Sequence, residues 1–324
     1  MKKLKGKLAV IVGAGRTGTH SLKILCVLKG ISLRVIDRDF IRESDIGGCA
    51  LYCKNSVGRL KAGEAKRIAG KKFGVEVQAE CEHLRAGNAR KLLGGASIVL
   101  DCTDNWGTRA LINQYCLKNG IPWVYCGALA GGAMCATTVP PGRPCFECWA
   151  PALPTEPVSC SEVGVELKAI KMASEMQVEE TKRILAGETP ELTGKLRYFE
   201  SRTARTRTLL LKRNPQCPTC AKRQFERLEG GGENAILSCG GGEWLFLNPQ
   251  GKKVRHYGTK RMLEALEPLL PHAYGSLLKL SVNGLECAVF RNLRVTVRAR
   301  ERNRAAEANA IILSKLGASE KRKL

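Results

Sequence analysis

The sequence predicts an α/β protein with a Rossmann-like, mostly parallel sheet, helices on both faces, a four-cysteine zinc site and a small C-terminal α+β domain. Three observations predict it. Gly13, Gly15 and Gly18 form a G-x-G-x-x-G turn directly after the apolar run LAVIV, where a buried strand would lead into a helix. Short apolar runs then alternate with helix-like segments. Two Cys-x-x-Cys pairs follow.

The elements of the first predicted domain, residues 1–222, follow in chain order. We predict strands at 7–12, 31–36, 75–81, 96–102, 123–127 and 132–139, helices at 17–29, 61–72, 89–93, 108–118 and 165–186, and a polar hairpin at 195–211. Beyond it the character of the sequence changes. Short strand-like runs and a helix at 304–316 predict a small α+β domain over residues 223–324.

The composition and charge argue against a nucleic-acid-binding, a membrane-spanning and a secreted protein. The chain has 324 residues and a net charge of +23, but its basic residues are spread along it and aromatic residues make up only 5%. This distribution indicates a basic surface rather than a nucleic-acid-binding site. No run approaches the roughly 20 apolar residues of a membrane span, and the first apolar run ends in a glycine turn instead of a cleavage site. We expect a cytoplasmic protein.

Fifteen cysteines are many for such a protein. Cys145 and Cys148 form one Cys-x-x-Cys pair, and Cys217 and Cys220 form another. Two such pairs complete a tetrahedral four-cysteine zinc site, whereas a redox disulfide explains only one pair. Seven others lie in apolar segments and are expected to be small core side chains: Cys26, Cys81, Cys102, Cys116, Cys126, Cys135 and Cys287.

The glycine turn alone leaves three interpretations open: a dinucleotide site, an ATP site and a turn that binds nothing. Asp37 ends the second predicted strand, at the distance from the glycines that suits an acidic residue contacting ribose hydroxyls. A loop or helix-capping role is the alternative for this aspartate.

Several segments, taken in order, resemble the ThiF/MoeB-type adenylyltransferases, relatives of the ubiquitin-activating enzymes. They are VGAGRTG (12–18), VIDRDFIRESDI (35–46), VGRLKAGEAK (57–66), VLDCTDNWGTR (99–109), CFEC, VSCSEVGV (158–165) and CPTC. The stretch from residue 286 resembles, more faintly, the appended domain of some prokaryotic members. The resemblance implies ATP- and Mg²⁺-dependent adenylation of the C-terminal glycine of a ubiquitin-like or sulfur-carrier β-grasp protein, and a homodimer or a heterodimer with a homologue.

The resemblance also implies roles for individual residues. Gly13, Gly15 and Gly18 would hold the nucleotide phosphates, Asp37 would bind the ribose, and Asp39 would line the same pocket. Lys61 would contact the α-phosphate region, Asp104 would hold magnesium, and Asn105 would help to shape the nucleotide site. Cys160 would take up the activated carrier. The chemistry agrees, because a lysine and a bound metal ion stabilise the charge that develops on the α-phosphate. The alternatives are a solvated helix lysine at 61, a helix cap at 104 and an ordinary loop cysteine at 160.

The sequence departs from the family pattern S-N-L-x-R-Q, whose asparagine and arginine address the ATP phosphates. Asp45 replaces the asparagine and Gly48 replaces the arginine. We expect these changes to cost about 2–4 kcal/mol of transition-state stabilisation, with Arg42 or Arg59 as the candidates to compensate. The family's N-terminal helix is also expected to be missing.

Three other functions remain as alternatives. A catalytically impaired homologue would bind a carrier or an active partner without adenylating it. An NAD-dependent oxidoreductase would use the glycines and Asp37 but leave Lys61 and the cysteine pairs without a role. An RNA-binding module is supported by charge alone.

Overall fold

A computed structural model describes residues 4–141, 144–150, 164–229, 235–237, 242–247, 259–275 and 277–317. The chain divides into two compact units, Met1–Gly232 and Glu233–Leu324. The domain boundary after residue 222 remains a prediction. None of the helices in the described ranges has the length and apolar character needed to cross a membrane.

The first unit contains an eight-stranded sheet with the strand order β3-β2-β1-β4-β5-β6-β7-β8. The strands are β1 (Lys7–Val12), β2 (Ile31–Ile36), β3 (Val77–Glu80), β4 (Ile98–Asp101), β5 (Trp123–Leu129), β6 (Gly132–Thr138), β7 (Lys195–Glu200) and β8 (Arg205–Leu210). The strands β1 to β5 pair in parallel, and β6 to β8 are antiparallel. The predicted mostly parallel sheet is confirmed.

Helices cover both faces of this sheet. They are α1 (Arg16–Leu25), α2 (Lys61–Phe73), α3 (Ala86–Leu93), α4 (Trp106–Asn119), α5 (Phe146–Trp149), α6 (Leu167–Ala186) and α7 (Glu226–Glu229). Strand β1 shows why its run is apolar throughout. Ala9 and Ile11 pack into the core under α1, α2 and α6, while Val10 and Val12 pack into the core under α3 and α4. A strand buried on both faces needs no polar alternation.

The second unit has a six-stranded antiparallel sheet with the order β11-β12-β13-β14-β10-β9. Its elements are β9 (Ala235–Leu237), β10 (Glu243–Phe246), α8 (Thr259–Leu266), β11 (His272–Tyr274), β12 (Leu277–Val282), β13 (Leu285–Phe290), β14 (Val295–Arg298) and α9 (Arg302–Lys315). This α+β arrangement agrees with the sequence. The prediction omitted α8 and β11, which are too short for a periodic signal.

Two of the predicted core cysteines are not fully buried. Cys81 and Cys102 are half-buried, whereas the other five are buried. Both follow the last residue of a strand, β3 and β4 respectively, so they lie at the edge of the sheet. Both still pack against the core, so the prediction of a core position is confirmed in part for these two.

Helix α6 is attached to the sheet by one buried amide. The Gln177 side chain donates to the carbonyls of Asp101 (2.9 Å) and Val124 (3.0 Å). Its oxygen accepts from the Ser21 hydroxyl at 2.8 Å and from the Cys102 thiol at 3.2 Å. This side chain of α6 thus connects the helix to α1, to β4 and to β5.

Replacing this amide with an apolar side chain of similar size removes four hydrogen bonds. We expect Gln177→Met to lower the free energy of unfolding by about 2–4 kcal/mol, because buried carbonyls lose their partner. Urea denaturation measures the change. The control is Glu179→Met, an exposed position on the same helix, where a change within about 0.5 kcal/mol is expected. Equal effects of the two substitutions would contradict the prediction.

Candidate functional site

Three strands end side by side at one edge of the parallel sheet. Val12, the last residue of β1, pairs with Ile36 of β2 on one side and with Asp101 of β4 on the other. The segments that follow these strands are therefore neighbours. They carry the glycine turn, the aspartates after β2 and the sequence from Cys102 to Asn105. Ligands of parallel α/β sheets bind at this edge.

The three glycines of the turn have different surroundings. Gly13 has φ +97°, and a Cβ there would lie 2.5 Å from the Cys102 carbonyl oxygen. A Cβ at Gly18 would lie 1.9 Å from the Gly13 carbonyl oxygen. Gly15 has no atom within 4 Å of the equivalent position. Two glycines thus allow backbone to pack on backbone, and the third leaves open space at the start of α1.

The Asp37 carboxylate connects the glycine turn to the loop after β2. Its two oxygens accept from the backbone N–H groups of Ala14 and Asp39, each at 2.6 Å. Burial raises the pKa of Asp37, and the nearby Asp39 raises it further, while Lys61 and the two N–H groups lower it. Each oxygen keeps a second lone pair, so the carboxylate can still accept from a ligand hydroxyl.

Lys61 is the first residue of α2, and its side chain is only 10% exposed. Its Nζ lies 3.3 Å from Asp45 Oδ1. Burial by itself lowers the pKa of this ammonium, but the carboxylates of Asp39, Asp37 and Asp45 outweigh burial and raise it. Lys61 is therefore a buried, charged group within an acidic cluster, which excludes the solvated helix lysine of the alternative interpretation.

Tyr52 lies in the same region, although no motif in the sequence selects it. Its hydroxyl lies 2.8 Å from the Ala14 carbonyl oxygen and 3.0 Å from the Lys61 carbonyl oxygen. Burial raises its pKa well above the ordinary value, as do the nearby Asp37 and Cys49. The neutral hydroxyl holds the glycine turn against the beginning of α2.

Hydrogen bonds with Asp101 and Arg109 hold the segment after β4 in place. Asp101 Oδ1 accepts from the Thr103 N–H (2.8 Å) and hydroxyl (2.6 Å), and Arg109 donates to the Thr103 carbonyl at 2.6 Å. Arg109 Nε also lies 3.7 Å from Asp101 Oδ2, in a buried pair. These contacts fix the turn that carries the next residue, Asp104.

Asp104 and Asn105 differ in their surroundings. Asp104 is exposed, and it is not the cap of α4. Asn105 is that cap, because its Oδ1 accepts from the Thr108 N–H at 2.8 Å. The structure thus gives Asn105 a structural role in addition to the nucleotide role that the sequence predicts, while Asp104 is an exposed residue next to it.

Neither candidate arginine lies against Gly48. The Arg42 guanidinium lies over the Phe40 ring, 4.9 Å from its centroid, and Arg59 Nη1 donates to Glu64 at 3.3 Å. The guanidinium next to Gly48 belongs to Arg16 instead, with Nε 2.9 Å from the position of a Cβ at Gly48. Compensation by Arg42 or Arg59 at the ATP phosphates stays a prediction.

The two Cys-x-x-Cys pairs meet in space. The Sγ atoms of Cys145, Cys148, Cys217 and Cys220 all lie within 4.8 Å of one another. The Cys145–Cys217 and Cys148–Cys220 Sγ distances are 3.7 and 3.4 Å. Tetrahedral zinc with Zn–S bonds near 2.3 Å places sulfurs about 3.8 Å apart. A disulfide needs about 2.05 Å. The cluster therefore fits a structural zinc ion.

Glu147, between the first two of these cysteines, connects the cluster to α4. It accepts from the side chains of Asn113 (3.0 Å) and Gln114 (3.2 Å), and also from the Thr219 hydroxyl. Asn113 also contacts the Cys145 sulfur at 3.6 Å. Partners of this kind orient metal ligands.

Cys160, the predicted acceptor cysteine, lies outside the described residues.

Comparison with known proteins identifies the family. The sequence model of the ThiF family matches residues 1–219. The chain belongs to the ThiF family. It is 31% identical over 247 residues to the sulfur carrier protein ThiS adenylyltransferase of Bacillus subtilis, covering 74% of this chain and 72% of that protein. It is 29% identical over 231 residues to the SAMP-activating enzyme E1 of Haloferax volcanii, covering 70% and 85%.

Solved structures show the same fold. The crystal structure of E. coli MccB with ATP superposes on this ThiF-family chain with a TM-score of 0.58 at 21% identity, covering 68% of each chain. At this identity the likeness concerns the fold alone. Together with the family match, it agrees with the Rossmann-like sheet described above.

Two matched alanine variants test whether Gly18 is tightly packed and Gly15 is not. We expect Gly18→Ala to lower the free energy of unfolding by about 1–3 kcal/mol or more, because its Cβ would overlap the Gly13 carbonyl. Gly15→Ala should change it by less than about 1 kcal/mol, since the space is open. Chemical denaturation of both variants tests this. A Gly15→Ala variant that is the less stable of the two would contradict the assignment.

The cysteine cluster predicts one zinc ion per chain. Elemental analysis of the purified protein should find it, and Cys217→Ser should lose the metal and lower the Tm, because three thiolates hold zinc less tightly than four. Cys53→Ser is the control, since Cys53 is exposed and outside the cluster. Protein that carries no zinc, with a Tm unaffected by a chelator, would contradict the metal assignment.

Proposed function

We propose that this ThiF-family protein uses ATP to adenylate the C-terminal glycine of a ubiquitin-like or sulfur-carrier protein of the β-grasp type. The observation that carries the proposal is the buried, charged Lys61 beside a glycine turn whose middle glycine, Gly15, faces open space. The ThiS adenylyltransferase and the SAMP-activating enzyme that the chain resembles support the same reaction class.

The reaction requires charge stabilisation at the α-phosphate. A carboxylate oxygen of the carrier attacks the α-phosphorus, the bond to the oxygen bridging the α- and β-phosphates breaks, and pyrophosphate leaves. The products are a carrier acyl-adenylate and pyrophosphate. Lys61 supplies a cation for the negative charge that builds up, and the first N–H groups of α1 supply further donors.

The Lys61 ammonium can serve a phosphate without leaving its present partner. It has three N–H donors, and the contact with Asp45 uses one of them. Its raised pKa keeps it charged across the physiological range. The carboxylates around it hold the side chain in the site in the absence of nucleotide.

Asp104 is the residue that would hold magnesium. Its carboxylate is exposed at the same edge of the sheet, on a turn fixed by Asp101 and Arg109. Oxygen ligands of this kind are what Mg²⁺ prefers. When bound, the ion would neutralise phosphate charge and orient the leaving pyrophosphate.

A catalytically impaired carrier-binding subunit is the second candidate. One observation favours it: Asp45, a carboxylate where the family pattern has an amide, pairs with Lys61 and offsets part of its charge. ATP–pyrophosphate exchange separates the two candidates, since only an active enzyme catalyses it.

Pyrophosphate exchange tests the proposed function directly. With β-grasp proteins ending in Gly-Gly from the same genome, Mg-ATP and labelled pyrophosphate, we expect label to enter ATP only when a carrier is present. Asp104→Asn should reduce the exchange at least about 100-fold, because a ligand of the metal is weakened. The exposed Glu175→Gln serves as the control and should leave it unchanged.

The exchange assay distinguishes the active enzyme from the impaired homologue. No exchange with any such carrier would favour the impaired homologue over the enzyme. Full exchange by Asp104→Asn would show that Asp104 does not hold the magnesium.

Transfer of the acyl group to Cys160 and dimerisation stay predictions of the family resemblance. Mass spectrometry of Cys160→Ala should show the adenylate without the covalent adduct.

A further inference from the structure

We propose that Arg16 is a phosphate-binding residue of the nucleotide site, and that position 48 is a glycine in order to accommodate its side chain. The proposal rests on the proposed function in one respect, namely that ATP occupies the glycine turn. It adds a residue that neither the glycine motif nor the sequence comparison of the loop selected.

Arg16 stands where a cation is unfavourable without a ligand. It is the first residue of α1, directly after Gly15, and the first turn of this helix contains no acidic residue. Positive charge near a helix N-terminus is unfavourable, because the helix dipole is positive there. The Arg16 guanidinium donates one long hydrogen bond, 3.5 Å to the Ser44 carbonyl, and none of the ion pairs among the described residues includes it.

Position 48 is a glycine because of the neighbouring Arg16 side chain and not because of its own backbone conformation. The neighbouring Gly47 has φ +86°, in the left-handed region that favours glycine, whereas Gly48 is not among the residues with positive φ. A Cβ at Gly48 would instead lie 2.9, 3.2 and 3.4 Å from Nε, Cδ and Cγ of Arg16. Any side chain at this position would compete with the arginine for the same space.

The face of α1 that carries Arg16 also holds this loop in place. The Thr19 hydroxyl, one helical turn after Arg16, accepts from the Ala50 N–H at 3.0 Å. The position of the guanidinium is therefore set by a fixed loop on one side and by the glycine turn on the other.

Arg16 and Lys61 act on the same small region. Both lie within electrostatic range of the buried Cys49 thiol, whose pKa is raised to about 12 by burial and by Asp45 and lowered by the two cations. Two cations near one point, with the open face of Gly15 beside them, suit a ligand with several negative charges. A guanidinium binds a phosphate through two parallel N–H donors, and the triphosphate of ATP offers such a group.

The arrangement also accounts for the departure of the loop from the family pattern. That pattern has an arginine at position 48, and this chain has a glycine there. The side chain of Arg16, from the start of α1, lies against that position instead. One residue in the glycine turn thus takes over a charge that the loop lacks.

Calorimetric titration of the full chain with Mg-ATP and with adenosine tests the proposal. We expect Arg16→Gln to weaken Mg-ATP binding at least about 10-fold and to leave adenosine binding unchanged, because only the phosphates contact the guanidinium. Lys23→Gln is the matched control. It removes one positive charge from an exposed position on the same helix, and it should leave both affinities within twofold.

Gly48→Ala tests the second half of the proposal. The added methyl group would displace the flexible end of Arg16 without removing its charge, so ATP affinity should fall by about 3–10-fold. In the Arg16→Gln background the same substitution should have no further effect on ATP affinity, because the guanidinium whose displacement weakens binding is gone. A merely structural role for either residue would give additive losses and would weaken adenosine binding too.

The outcomes separate this proposal from the proposed function. If the unmodified protein binds Mg-ATP through Arg16 but exchanges no pyrophosphate, the proposed function fails and Arg16 remains a phosphate ligand. If exchange is intact and Arg16→Gln binds ATP like the unmodified protein, the Arg16 proposal is overturned and the function stands. Failure of the unmodified protein to bind Mg-ATP overturns the Arg16 proposal as well.

Discussion

Backbone packs directly on backbone where helix α1 begins, and no side chain can lie between the two segments. A Cβ at Gly18 would lie 1.9 Å from the Gly13 carbonyl, and one at Gly13 would lie 2.5 Å from the Cys102 carbonyl. This approach brings the start of α1 over the ends of β1 and β4. It leaves Gly15 facing open space, with the first N–H groups of the helix beside it.

Charge is concentrated at the same edge of the sheet. Lys61 is buried among Asp37, Asp39 and Asp45, and burial of charge is costly unless the groups compensate one another. Tyr52 connects this cluster to the glycine turn through two carbonyl groups. The cations and carboxylates are therefore held in place in advance, which is the condition for electrostatic stabilisation of a phosphate.

Helix α4 connects this edge to the cysteine cluster. Its N-terminus follows Asp104 and is capped by Asn105, while Asn113 and Gln114 in its middle contact Glu147 between two of the cysteines. A zinc ion in the cluster would thus fix the body of the helix that begins beside the proposed nucleotide site. The metal would then have a structural role, at a distance from the proposed reaction.

The sequence by itself determined the Rossmann-like sheet, its helices and the four-cysteine cluster, because apolar periodicity, glycine spacing and cysteine spacing are local patterns. It also selected Gly13, Gly15, Gly18, Asp37 and Lys61 as candidates. Only the tertiary structure decided which groups meet across distant segments: Tyr52 with the glycine turn, Asp45 with Lys61, and Arg16 with Gly48. Those contacts depend on how α1, α2 and the loop between β2 and α2 pack together, and no residue spacing records that packing.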